Sequence, residues 1–80
     1  MSSIYNYSID EQEILNNFGL NFKHYLTKAK LTQDDIVEII GFSKPYISNT
    51  ELGKHNISLI NALKIASIVN KTIEEMIKEI

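Results

Sequence analysis

The stretch Thr32 to Gly53, TQDDIVEIIGFSKPYISNTELG, decides how this chain folds. Thr32 is a helix N-cap residue, with Asp35 three positions on and Asp34 beside it at the positive end of the helix dipole. Ile36, Val37, Ile39 and Ile40 follow at helical spacing, and Gly41 suits the left-handed residue that ends a helix. Ser43 then caps a second short helix, whose first turn holds Pro45, where a missing N–H costs little. That helix is expected to end near Glu51 and Leu52, before Gly53. Phe42 lies in the turn, where it can plug the angle between the two helices.

This layout is what a helix-turn-helix requires: a supporting helix, a tight turn, and a second helix free to enter a major groove. With Ile47 facing inward, Lys44, Ser48 and Asn49 fall on the outer side, with Pro45 beside them.

Outward from this pair the same signals recur. A first helix is expected from about Asp10 to Lys30, with Ser8 and Glu11 spaced as a capping box. Its apolar stripe is Ile14, Phe18, Phe22, Tyr25, Leu26 and Ala29, with Gly19 a weak point in its continuity. Ser58 caps a fourth helix from Leu59 to about Val69, with Leu63, Ala66 and Val69 on one side. Thr72 and Glu75 form a capping box for a fifth, carrying Ile73, Met76, Ile77 and Ile80. No alternating strand pattern or internal repeat is present. The expectation is an all-α, compact five-helix bundle, with residues 1–9 an N-terminal extension and 10–80 a single domain. The extension has no basic side chain to enter a minor groove and reads as a tail.

Composition narrows the function. The chain has no cysteine, which removes disulfides, thiolate catalysis and cysteine-based zinc sites. His24 and His55 lack companion ligands at metal spacing, and no nucleophile–base set or phosphate-cradling loop appears. An enzyme, a metal, a cofactor and a small-molecule substrate are therefore not expected. Neither a secretion signal nor a membrane-length apolar run is seen, so a cytoplasmic protein with no membrane partner is expected. The net charge of −2 is unusual for a nucleic-acid binder, but the acids crowd the two ends. Between Ile14 and Lys71 seven lysines stand against four acids. All eight basic residues are lysine, so the arginine fork that usually reads guanine is missing.

The stretches Leu31 to Val37, Gly41-Phe42-Ser43 and Tyr46-Ile47-Ser48, with Glu51 and Gly53, resemble the Cro/C1-type, lambda-repressor-like helix-turn-helix family. That family includes phage repressors, restriction–modification controller proteins and small bacterial regulators. The resemblance continues through Asn56 to Leu59, Leu63 to Ala66 and Val69 to Met76, covering Gly19 to about Ile77 without a gap. It implies that Ser43, Lys44, Pro45 and Asn49 face the groove, with Ser48 beside them on the outer side. Lys44 would donate to guanine O6 or N7, and Asn49 suits adenine N6 and N7. The resemblance also implies that Gln33 reaches a phosphate and braces Lys44. Lys54, His55 and Asn56 would meet the DNA backbone, with Lys23 and Thr32 adding further phosphate contacts. Two positions depart from the family pattern. Leu26 stands where members often carry an arginine paired with the glutamate matching Glu51, and Pro45 stands at a commonly polar position.

Helices four and five hold more isoleucine than one core should need. Ile60, Ile65, Ile68, Ile73, Met76, Ile77 and Ile80 are accordingly expected to form a homodimer interface. Two recognition helices would then lie roughly 34 Å apart, matching a palindromic double-stranded DNA operator. With no ligand domain expected, such a repressor or controller would act through its concentration. The alternative is a protein-interaction module of antitoxin or anti-repressor kind on the same fold. The acidic total and absent arginine favour it, whereas Lys44 and Asn49 favour DNA.

Overall fold

The computed structural model describes residues 9–80. The proposed cap at Ser8 and almost all of the 1–9 extension therefore lie outside the described residues. Among the described residues the chain is helical without a strand: α1 Glu11–Lys28, α2 Gln33–Ile40, α3 Lys44–Glu51, α4 Leu59–Ile68 and α5 Ile73–Met76. The all-α, five-helix expectation is met.

The cap of α1 is Asp10, two residues beyond the one expected; its carboxylate accepts from Glu13 N at 3.1 Å. The other caps are as read. Thr32, Ser43, Ser58 and Thr72 each accept from the backbone N–H three residues on, and the Thr32 and Thr72 boxes are closed in both directions. Gly41 ends α2 with a left-handed φ of 83°.

Three helices stop in one way. After α1, α3 and α4 a left-handed residue (Lys30, Gly53, Asn70) turns the chain back on the last helical carbonyls. Leu31 N bonds Leu26 O at 3.0 Å, Lys54 N bonds Asn49 O at 2.9 Å, and Lys71 N bonds Ala66 O at 2.9 Å. Two of these turns lead straight into a threonine box, so the chain enters α2 and α5 alike. The fourth residue of each helix, Ile36 and Met76, is wholly buried.

α1 is the spine, packing on α3 and α5, while α2 packs on α3 and α4 on α5. The core is Phe18, Phe22 and Leu26 of α1, Ile36, Ile47, Ala62, Ile65, Ala66, Val69 and Met76. A fully buried side chain of this size contributes about 1.5–3 kcal/mol. Gly19 does not interrupt α1. It lets the helix meet the end of α3 so closely that a Cβ there would lie 2.5 Å from Thr50 O and nearer still to Glu51 O. Tyr25 is half-buried, with the Lys71 ammonium 4.8 Å from its ring centroid.

Two expectations need correcting. The inward face of α4 is Ala62, Ile65, Ala66 and Val69, whereas Leu63 is 46% exposed. Asn61, Lys64 and Ser67 mark one polar side of α4, but the apolar residues spread over more of the helix than the core covers, and Leu63 falls on the uncovered part. α5 ends at Met76, short of Ile80, and Asn21 of α1 holds the last carbonyl of the helix and one just beyond it. The Asn21 amide, itself buried, donates to Met76 O at 2.8 Å and Lys78 O at 2.7 Å.

Candidate nucleic-acid interface

α2 and α3 form the expected pair, and α3 is fastened by side chains from the turn before it, the loop after it, α4 and α1. Ile47 is wholly buried. The Tyr46 ring lies between Phe42 and His55, at centroid distances of 4.9 and 4.5 Å, and its hydroxyl accepts from Asn61 Nδ2 of α4 at 2.9 Å. Phe42 thus does plug the angle, by packing on α3 itself. The buried Thr50 hydroxyl donates its one proton to Tyr46 O at 2.9 Å, so the 2.9 Å contact with His55 requires the ring Nε2 to carry hydrogen and donate. At the far end Gln12 Nε2 of α1 donates to Gly53 O at 2.9 Å. A recognition helix held this way can present side chains at fixed positions.

Its outer, N-terminal turn is open. Ser43, Lys44 and Pro45 are exposed, and Ser48 and Asn49 are half-buried one turn along. Ser43 Oγ already accepts from Tyr46 N at 3.2 Å, which leaves its hydroxyl proton to donate outward. Thr32 is exposed at the start of α2, although its hydroxyl also serves as a cap. Lys54 and Asn56 are exposed in the loop after α3, with His55 between them locked against Thr50 and Tyr46. Lys23 is exposed on α1, outside the α2–α3 pair.

Gln33 does not brace Lys44. Its amide nitrogen donates to Glu51 Oε1 at 3.1 Å, tying the start of α2 to the end of α3 and leaving a second N–H available. This bond occupies the glutamate that the family pattern pairs with an arginine; Leu26, where that arginine would stand, is buried in the core. Lys44 instead pairs with Asp34, Nζ to Oδ1 at 3.0 Å, both side chains well exposed. From Thr32 to Gly53 there is one lysine against four acids, so the positive charge of the chain's middle lies outside this pair of helices.

The apolar residues expected at a dimer interface divide. Ile60, Ile77 and Ile80 are exposed and Ile68 and Ile73 half-buried, but Ile65 and Met76 are 0% exposed. Those two are core and offer no surface to a partner. Among the described residues, six further large apolar residues are exposed outside the expected interface set: Ile9, Leu20, Ile39, Leu52, Leu59 and Leu63. Sequence reasoning also missed Asp34, Tyr46, Thr50 and Asn61. Only Asp34 carried a local signal, a carboxylate at the start of the supporting helix; the Tyr46–Asn61 bond joins residues with no shared pattern.

Comparison with known proteins agrees with this geometry. A family model described as Helix-turn-helix matches residues 22–76. The control protein C.MunI of a Mycoplasma species is 30% identical over 71 residues, covering 82% of this chain and 96% of that one. The crystal structure of the restriction-modification controller protein C.AhdI from Aeromonas hydrophila superposes with a TM-score of 0.70 at 29% identity, over 78% of this chain and 94% of that one. The hypothetical transcription factor NHTF from Neisseria shares the fold, with a TM-score of 0.76 at 20% identity over 95% and 87% of the two chains. The chain belongs to the Cro/C1-type helix-turn-helix family, which includes restriction–modification controller proteins.

Proposed function

We propose that the chain is a sequence-specific regulator of transcription that binds a two-fold symmetric duplex operator as a homodimer, with α3 in the major groove. The observation that carries this reading is the division of α3. Ile47 and Thr50 are buried against the body and Tyr46 bonds Asn61 of α4, while Ser43, Lys44 and Pro45 stand exposed at the end that would enter the groove. Ser48 and Asn49 extend the reading surface by one turn. Thr32, the free N–H of Gln33, Lys54 and Asn56 would hold phosphates, with His55 and Lys23 at the margin. Its controller-protein relatives support the reading.

The dimer interface is assigned to the outer side of α4, continued by the end of α2. There Ile39, Ile40, Ile60, Leu63, Lys64, Ser67 and Ile68 line a largely apolar groove of about 420 Å³. Ile73 and Ile77 border a separate depression against α1, and the exposed Ile80 lies beyond α5.

The test is selection from a random duplex pool at moderate salt, with a Lys44→Ala/Asn49→Ala variant in parallel. The wild type is expected to enrich a two-fold symmetric motif that the variant does not. Enrichment of nothing by the wild type turns the reading toward a protein-interaction module, which the acid-rich α2–α3 pair favours.

A further inference from the structure

We propose that Asp34 is a specificity-determining positioning residue that acts through Lys44; this rests on the DNA-binding reading above. Lys44 is the one cation of α3 and sits in its exposed first turn. Its ammonium is held 3.0 Å from Asp34 Oδ1, in the first turn of α2. The other acids of the two first turns and of the α3 end are engaged elsewhere. Asp35 closes the Thr32 box, and Glu51 accepts from Gln33. Asp34 is the acid that meets the reading surface.

A lysine side chain is a point charge on a flexible stem, attracted to any phosphate within reach. Phosphate attraction carries no sequence information, and it dominates binding to non-operator DNA. The Asp34 carboxylate changes both properties. It biases where the ammonium stands, and it offsets part of the charge that a passing phosphate would feel. An exposed pair of this kind is weak, so a well-placed acceptor can still compete for the ammonium's free protons. Guanine O6 and N7 provide such acceptors at a fixed place on the groove floor. Asp34 thus suppresses binding to phosphate alone more than binding to the base that Lys44 reads.

The experiment measures affinity by fluorescence anisotropy across a salt series. The probes are a duplex selected by the wild type and a scrambled duplex of the same length and composition. Asp34→Asn is expected to bind the scrambled duplex more tightly and to steepen its log–log salt slope by about 1. The preference for the selected duplex should fall about fivefold, the scale of one exposed ion pair. Asp34→Glu should restore the preference. In a Lys44→Met background, Asp34→Asn should leave it unchanged. An unchanged preference in Asp34→Asn, or an equal loss with and without Lys44, overturns the role of Asp34 and leaves the DNA-binding reading standing. A wild type that selects no duplex overturns both.

Discussion

Gly19 shows what one missing methyl group does here. α1 meets the final carbonyls of α3 at a distance that admits no Cβ. Alanine is the better helix former by about 1 kcal/mol, but here it must push the recognition helix outward. Overpacking of this kind costs about 1–3 kcal/mol, and rigid backbone carbonyls place Gly19→Ala toward the upper end. Net of the helix-propensity gain the loss is about 2 kcal/mol, and the variant is expected to melt roughly 8–16 °C lower. An unchanged melting temperature would show that α3 can shift freely, and the fixed reading surface would be lost with it. In the sequence the same glycine looked like a defect in the helix. Its use depends on a neighbour some thirty residues away, and local pattern carries no trace of that. Asn21 is a similar case: a polar residue on an apolar stripe whose partners lie at the far end of the chain.

At the level of elements, caps were readable and faces were not. Thr32, Ser43, Ser58 and Thr72 declare themselves because the bonds they make span three residues. α4 does not fully declare its buried side, since its apolar residues cover more of the helix than the core does; the packing partner decides that Ile65 turns in and Leu63 out. The capping box of α5 makes a pH prediction. Bonding from the Thr72 backbone N–H, then from its hydroxyl, with Lys71 and Lys78 nearby, holds Glu75 below its ordinary pKa of 4.5. A carboxylate depressed by folding adds stability that is fully present above its unfolded value and lost as the pH falls through the folded one. Stability should therefore drop below about pH 4.5. Glu75→Gln should be less stable at neutral pH and show a shallower acid limb in urea titrations at successive pH values. An acid limb as steep as the wild type's would assign the loss to other carboxylates.

For the whole molecule, the proposed dimer turns on which apolar surface would meet a second copy. Ile60 is 61% exposed on the α2–α4 groove, whereas Ile65, five residues on, is wholly enclosed. Ile60→Asp is expected to leave the fold intact, convert a sedimenting dimer to monomer, and weaken binding to the selected duplex by at least tenfold, because a monomer holds one half-site. Ile65→Asp should instead unfold the chain. A dimeric Ile60→Asp protein would move the interface to Ile77, Ile80 or another face. The sequence showed that a surplus of isoleucine existed. It could not sort interface from core, because both uses ask for the same side chains and differ only in what covers them.

The fastening of α3 bears on how such a regulator changes its target. Tyr46, Ile47 and Thr50 anchor the helix, and on the proposed reading Lys44, Pro45, Ser48 and Asn49 would do the reading, so that within α3 the two sets share no member. Ser43, just before the helix, would be the exception with two duties, since its hydroxyl is also the cap, whose loss would cost about 1 kcal/mol. A lineage could therefore rewrite four letters of its address by point substitution and keep the same body throughout, drifting to a new operator without passing through an unfolded ancestor.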